Sequence, residues 1–160
     1  VIQDTEEIVL GVEWSTILFF TGLFVVVGGM VQTGVITALG NALVSVTGGN
    51  TILLMVLILW GSALFSSFLD NIPFVATMIP LILAMQAEGM EVTPLWWALS
   101  LGACLGGNGT LIGASANVVL SGISATHGHP ITFMRYLRVG FPMMILTVAI
   151  STVYLLVRFH

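Results

Sequence analysis

The sequence predicts an all-α, polytopic membrane protein, and three observations carry that prediction. Charged side chains make up 6% of the 160 residues and hydrophobic ones 58%, where a soluble domain carries about 25% charge. Mean hydropathy is +1.12. The charges are also segregated: residues 14–69, 92–134 and 139–157 contain none. A spanning helix needs about 20 apolar residues, so the chain holds material for several. There are too few charges to cover a water-exposed surface, and too much apolar mass for disorder. A net charge of −4 with three arginines and no lysine excludes nucleic acid as a partner.

Residues 1–13 hold Asp4, Glu6, Glu7 and Glu13 and read as a connection outside the bilayer. No basic segment leads the chain, so a signal peptide does not fit, and a start at Val1 reads as a piece of a longer protein. Trp14 opens a transmembrane helix over 14–31, an interfacial aromatic anchor at its end. Residues 34–48 are milder. Thr33, Thr37, Asn41 and Ser45 recur every four residues, the pattern of an interfacial helix.

Residues 51–87 are two apolar arms around Asp70-Asn71-Ile72-Pro73, with Pro80 in the second arm. Each arm is thin for a full crossing, so the segment reads as a re-entrant hairpin with its tip at 70–73. Such a tip is tolerated only when buried in protein or lining a wet cavity. Residues 86–94, with Glu88 and Glu91, are a solvated loop. Pro94 opens the next helix, anchored by Trp96 and Trp97. That helix, 94–126, is discontinuous: Gly106-Gly107-Asn108-Gly109-Thr110 and Gly113-Ala114-Ser115-Ala116-Asn117 break it at about 106–117. After the turn at His127-Gly128-His129-Pro130, a transmembrane helix covers 139–157. The positive-inside rule puts Arg135 and Arg138 in the cytoplasm. Counting crossings back places loop 86–94 outside and the acidic N-terminal segment inside.

Asp70 is the one charge between residues 14 and 87. An unpaired carboxylate in hydrocarbon costs several kcal/mol, which favours a cation or proton site; the other reading is a helix cap at a wet tip. Asn71 offers an amide oxygen to a cation or an amide hydrogen to an anion, or closes an Asx turn. The two glycine-rich clusters suit unwound backbone around a small ligand, or close helix packing. Packing accounts less readily for Asn108 and Asn117. His127 and His129 lack further metal ligands nearby, and the lone Cys104 excludes an internal disulfide. Cys104 and the eight methionines read as membrane core. No G-x-S-x-G, H-E-x-x-H or Walker A motif is present, so an enzyme is not indicated.

Phe68–Pro80 (FLDNIPFVATMIP) and Leu101–Val119 (LGACLGGNGTLIGASANVV) resemble the ion transporter superfamily. Within it they resemble the group of arsenite-efflux permeases, NhaD-type sodium/proton antiporters and pink-eyed dilution (P) proteins, which share a citrate-transporter-like domain. Residues 13–29 and 138–144 match its style too. The resemblance implies two inverted repeats, of which this chain is the second only: interfacial helix, re-entrant hairpin, discontinuous helix, final transmembrane helix. It implies a missing N-terminal repeat, a homodimer built on helix 14–31, and residence in a bacterial inner (plasma) membrane.

Dicarboxylate transporters often carry Ser-Asn-Thr at the tip where this chain has Asp70-Asn71-Ile72, which favours a site holding a cation or proton. The expected site residues are Asp70, Asn71 and Thr77 in the hairpin and Asn108, Gly109, Thr110, Ser115 and Asn117 in the break. Asp70 and Asn71 are the expected Na+ ligands, bound Na+ being the one cofactor implied. The expected function is secondary active Na+/H+ exchange by alternating access, with Asp70 as coupling carboxylate. An anion or oxyanion permease (arsenite or a carboxylate) is one alternative, and a non-transporting membrane scaffold is another.

Overall fold

The computed structural model describes residues 14–159, and side chains from residue 17 onward. The acidic segment 1–13 and the Trp14 side chain lie outside the described residues. The described residues are helical and contain no strand: α1 Trp14–Gln32, α2 Val35–Thr47, α3 Thr51–Ser66, α4 Asn71–Ala87, α5 Thr93–Gly106, α6 Ser115–Thr126 and α7 Phe133–Phe159. An all-α fold is what the charge-free apolar runs predicted.

Helices α1 and α2 meet at a bend of 67°. Gly34 makes it, at φ 76, a left-handed conformation that costs glycine little. Helix α3 starts under the Asn50 side chain, whose Oδ1 accepts from the Ile52 and Leu53 amides at 3.0 and 3.1 Å.

Helices α3 and α4 have 16 and 17 residues, about 24 and 26 Å of rise. Neither reaches the roughly 30 Å of a hydrocarbon core. Asp70 is the N-cap of α4. The turn of this helical pair is therefore 67–70, and Asn71 and Pro73 belong to the first turn of α4. The interruption between α5 and α6 is 107–114, narrower than the sequence suggested.

The centre of the molecule is the crossing of α3 and α5. Gly102 and Gly106 sit one turn apart on α5, and a Cβ on either would collide with the backbone carbonyl of Leu59 or Ala63. This small-residue spacing lets two helix backbones touch where lipid supplies no hydrophobic drive for association. Around the seam lie Leu54, Met55, Ile58 and Leu59 of α3, Leu81, Ile82 and Met85 of α4, Leu95 and Leu99 of α5, and Met144, Val148 and Leu155 of α7. Trp60 Nε1 donates to Thr152 Oγ1 at 3.0 Å, tying α3 to α7. Cys104 is exposed.

Helix α7 is long and apolar enough to cross a membrane by itself. It runs from 133, not 139, so Arg135 and Arg138 ride on its first turns. The Thr132 hydroxyl accepts from the Arg135 amide at 3.3 Å, which starts the helix ahead of the charges. Helix α6 buries none of its residues.

Candidate functional site

The α3–α4 turn packs into the gap between α5 and α6. Thr110, fully buried, donates its hydroxyl to the Ser67 carbonyl. Gly113 and Gly109 leave the room for this: a Cβ on Gly113 would stand 2.8 Å from the Ser67 carbonyl oxygen, and one on Gly109 2.9 Å from Ser67 Cβ and 2.6 Å from Met144 Sδ. The glycines of the break admit the neighbouring backbone.

Asn71 lies over Gly107, where a Cβ would meet its Oδ1 at 2.9 Å and its Nδ2 at 3.1 Å. Ser66 Oγ hydrogen-bonds to Asn71 Oδ1 and to the Ala103 carbonyl, the latter at 2.8 Å. The one Ser66 hydroxyl proton is shared between these two acceptors. Asn117 reaches back from α6: its Nδ2 donates to the Gly107 carbonyl at 3.0 Å and the Thr110 carbonyl at 3.2 Å. That amide holds the break closed where α5 can no longer supply backbone donors.

Four sequence-predicted residues thus meet in one cluster: Asn71, Gly109, Thr110 and Asn117. Four do not. The half-buried Asp70 turns its carboxylate to its own helix, accepting from the Ile72 amide at 3.4 Å. Thr77 donates to the Phe74 carbonyl at 2.7 Å within α4. Asn108 is exposed, and its carbonyl faces Gly140 of α7. Ser115 is exposed at the start of α6. Ser66 and Ser67 complete the cluster and were not anticipated; adjacent hydroxyls ending an apolar arm were the available signal.

The cluster is rich in acceptors. The carbonyls of Ser67, Gly107 and Thr110 accept from Thr110, Asn117 and Gly113, and the Asn71 amide lies beside Gly107. Among the described residues no three His, Cys, Asp or Glu side chains gather; the polar groups at the break are hydroxyls, side-chain amides and backbone carbonyls. Beside Asn71 a cleft of about 540 Å³ opens between α1 and α4, walled by Phe24, Val27, Ile72, Val75, Ile79 and Pro80. Asn71 is its polar corner.

Residues 2–102 match the family model described as Citrate transporter. The P protein of Homo sapiens is 46% identical over 164 residues, covering 98% of this chain and 20% of that protein. An uncharacterized transporter of Mycobacterium tuberculosis is 46% identical over 157 residues, 96% of this chain and 36% of its own length. The 46 kDa membrane protein of Mycobacterium leprae is 44% identical over 151 residues, 92% of this chain and 35% of its own. The chain therefore spans between about a fifth and about a third of the length of these relatives. No solved structure matches it. The matched family is one of integral membrane transporters, not enzymes, and it accords with both the composition and the interrupted helices. With more than half of its residues under the family model, the chain belongs to the Citrate transporter family.

Proposed function

We propose that this chain forms half of the solute path of a secondary active transporter that exchanges Na+ for H+ by alternating access. One observation carries the reading: the Asn71 amide lies against Gly107 at the meeting of two interrupted helices, where Asn117 gathers the Gly107 and Thr110 carbonyls and Thr110 holds the Ser67 carbonyl. Oxygens so placed substitute for a cation's hydration shell. Asp70, one residue away, here caps α4 through the Ile72 amide, and in this reading it turns from that cap to the cluster and adds the negative charge that a proton can cancel. Na+ and H+ then compete, and the cluster loads one or the other. The remainder of the path belongs to an N-terminal repeat. The exposed apolar residues of α1, among them Phe19, Phe24 and Val25, suit a dimer contact. The positive-inside rule supports a cytoplasmic location for Arg135 and Arg138.

The test uses everted vesicles containing the complete transporter and a pH-sensitive dye. Added Na+ is expected to collapse the proton gradient in wild type and not in Asp70→Asn. An Asp70→Asn protein that responds like wild type removes the carboxylate from the mechanism.

A second reading has its own observation. Helix α6 begins at Ser115, and its N-cap residue Ala114 supplies no side-chain cap, so its first amides and its positive dipole end suit an anion. A carboxylate or oxyanion would bind there, consistent with the family's description. Citrate or arsenite uptake without Na+-dependent proton flux would favour this reading.

A further inference from the structure

The segment joining α6 to α7 is pinned back onto α6. The His129 amide donates to the Ser124 carbonyl at 2.9 Å, the Ser124 hydroxyl to the His129 carbonyl at 2.5 Å, and the Ser121 hydroxyl to the Ile131 carbonyl at 3.2 Å. The pinning holds open a cleft of about 550 Å³ between the loop and the first turns of α7. Its lining is split. Ser124, His129, Arg135 and Tyr136 give a polar end; Val139 and Gly140 begin an apolar one. From Val139 an exposed apolar stripe continues along α7 through Met143, Leu146 and Ile150, residues spaced to share one helix face.

We infer that this cleft binds the headgroup of an anionic phospholipid, with the phosphate on Arg135 and the acyl chains along the α7 stripe. Charge is the first argument. The chain has three basic side chains, and two of them, Arg135 and Arg138, sit at this end of α7. A basic pocket between membrane helices at the interface is a recognised anionic headgroup site. Arg presents a fork of donors suited to phosphate, and His129 and Tyr136 line the same cleft. The second argument is the apolar half. A free anion gains nothing from Val139 and the stripe beyond it, whereas a lipid needs both ends. The cleft also borders the transport machinery: a Cβ on Gly140 would stand 2.7 Å from the Asn108 carbonyl oxygen and 2.7 Å from the Tyr136 ring. A headgroup resting on Tyr136 and Gly140 therefore lies against the break. None of this depends on which solute is carried.

The experiment titrates the detergent-purified complete transporter with phosphatidylglycerol or phosphatidylcholine and counts bound lipids by native mass spectrometry. Wild type is expected to retain phosphatidylglycerol in preference to phosphatidylcholine. Arg135→Gln is expected to lower that retention by about tenfold, the size of a lost charge-assisted hydrogen bond. Arg138→Gln removes the same charge from outside the cleft and is expected to change it by less than about fivefold, the diffuse effect of one base. Arg135→Lys should keep the preference. If Arg135→Gln does not fold, His129→Gln takes its place with loss again expected. Equal losses for Arg135→Gln and Arg138→Gln, absence of a phosphatidylglycerol preference, or full displacement by inorganic phosphate would each overturn the assignment.

Discussion

The Asn71 amide lies against Gly107 so closely that a Cβ on Gly107 would stand 2.9 Å from Asn71 Oδ1. The first turn of α4 and the end of α5 share one surface there, and no side chain fits between them.

Gly107→Ala is therefore expected to push the α3–α4 turn off the break. Overpacking of this kind costs about 1–3 kcal/mol, which lowers the thermal midpoint while leaving the membrane-inserted protein detectable. Transport should fall further than stability does. A variant with wild-type transport would show that the contact is not part of the site.

Thr110 offers a cleaner separation of hydroxyl from volume. Thr110→Val leaves the buried Ser67 carbonyl without its donor, a loss of about 1–3 kcal/mol, whereas Thr110→Ser keeps the donor. Thermal unfolding in detergent is expected to rank wild type and Thr110→Ser together, with Thr110→Val below both.

Asp70 carries two separable roles, and two substitutions divide them. Asp70→Ala removes the cap of α4, costing about 1 kcal/mol. Asp70→Asn retains a capping oxygen but no charge. Melting curves should therefore show Asp70→Asn close to wild type and Asp70→Ala below it, while both lose Na+-dependent proton flux. Parallel loss of melting temperature and flux in the two variants would reduce Asp70 to a cap.

Glu91, in the loop ahead of α5, gives a pH signature. The Thr93 hydroxyl and then the Thr93 amide, the latter 3.0 Å from Oε1, hold its carboxyl below the usual glutamate range. A lowered acid favours the folded state when ionised. Its contribution is complete above the usual glutamate range and is lost as pH falls through the lowered value. Glu91→Gln is expected to melt slightly below wild type at neutral pH and to converge with it in acid. A constant gap across that range would contradict the assignment.

Much of this arrangement was legible before any coordinates. Asp70 followed by Asn71 and Pro73 interrupts an apolar run, and charge with proline marks a chain reversal whatever its neighbours. Gly107 and Gly109 beside Asn108 announce a break for the same local reason. What was not legible depends on tertiary partners. Nothing local tells Ser66 to turn toward Asn71 and Ala103 when membrane serines commonly bond to their own helix. The Asp70 carboxylate is committed to the start of α4 by its N-cap bond from the Ile72 amide, at backbone torsions of φ −58 and ψ 141. The four-residue spacing of Gly102 and Gly106 stands in the sequence, but its partner helix does not.

That glycine seam also limits how the site opens. A lid swings only if its contact face can roll or part. The carbonyls of Leu59 and Ala63 are seated against Gly102 and Gly106 with no side chain between them to yield. In the proposed transport cycle α3 and α5 then travel together as one stiff body, and release calls for that body to shift against its surroundings. A covalent tether between α3 and α5 should leave turnover intact, whereas one between α1 and α4, across the cleft beside Asn71, should arrest it.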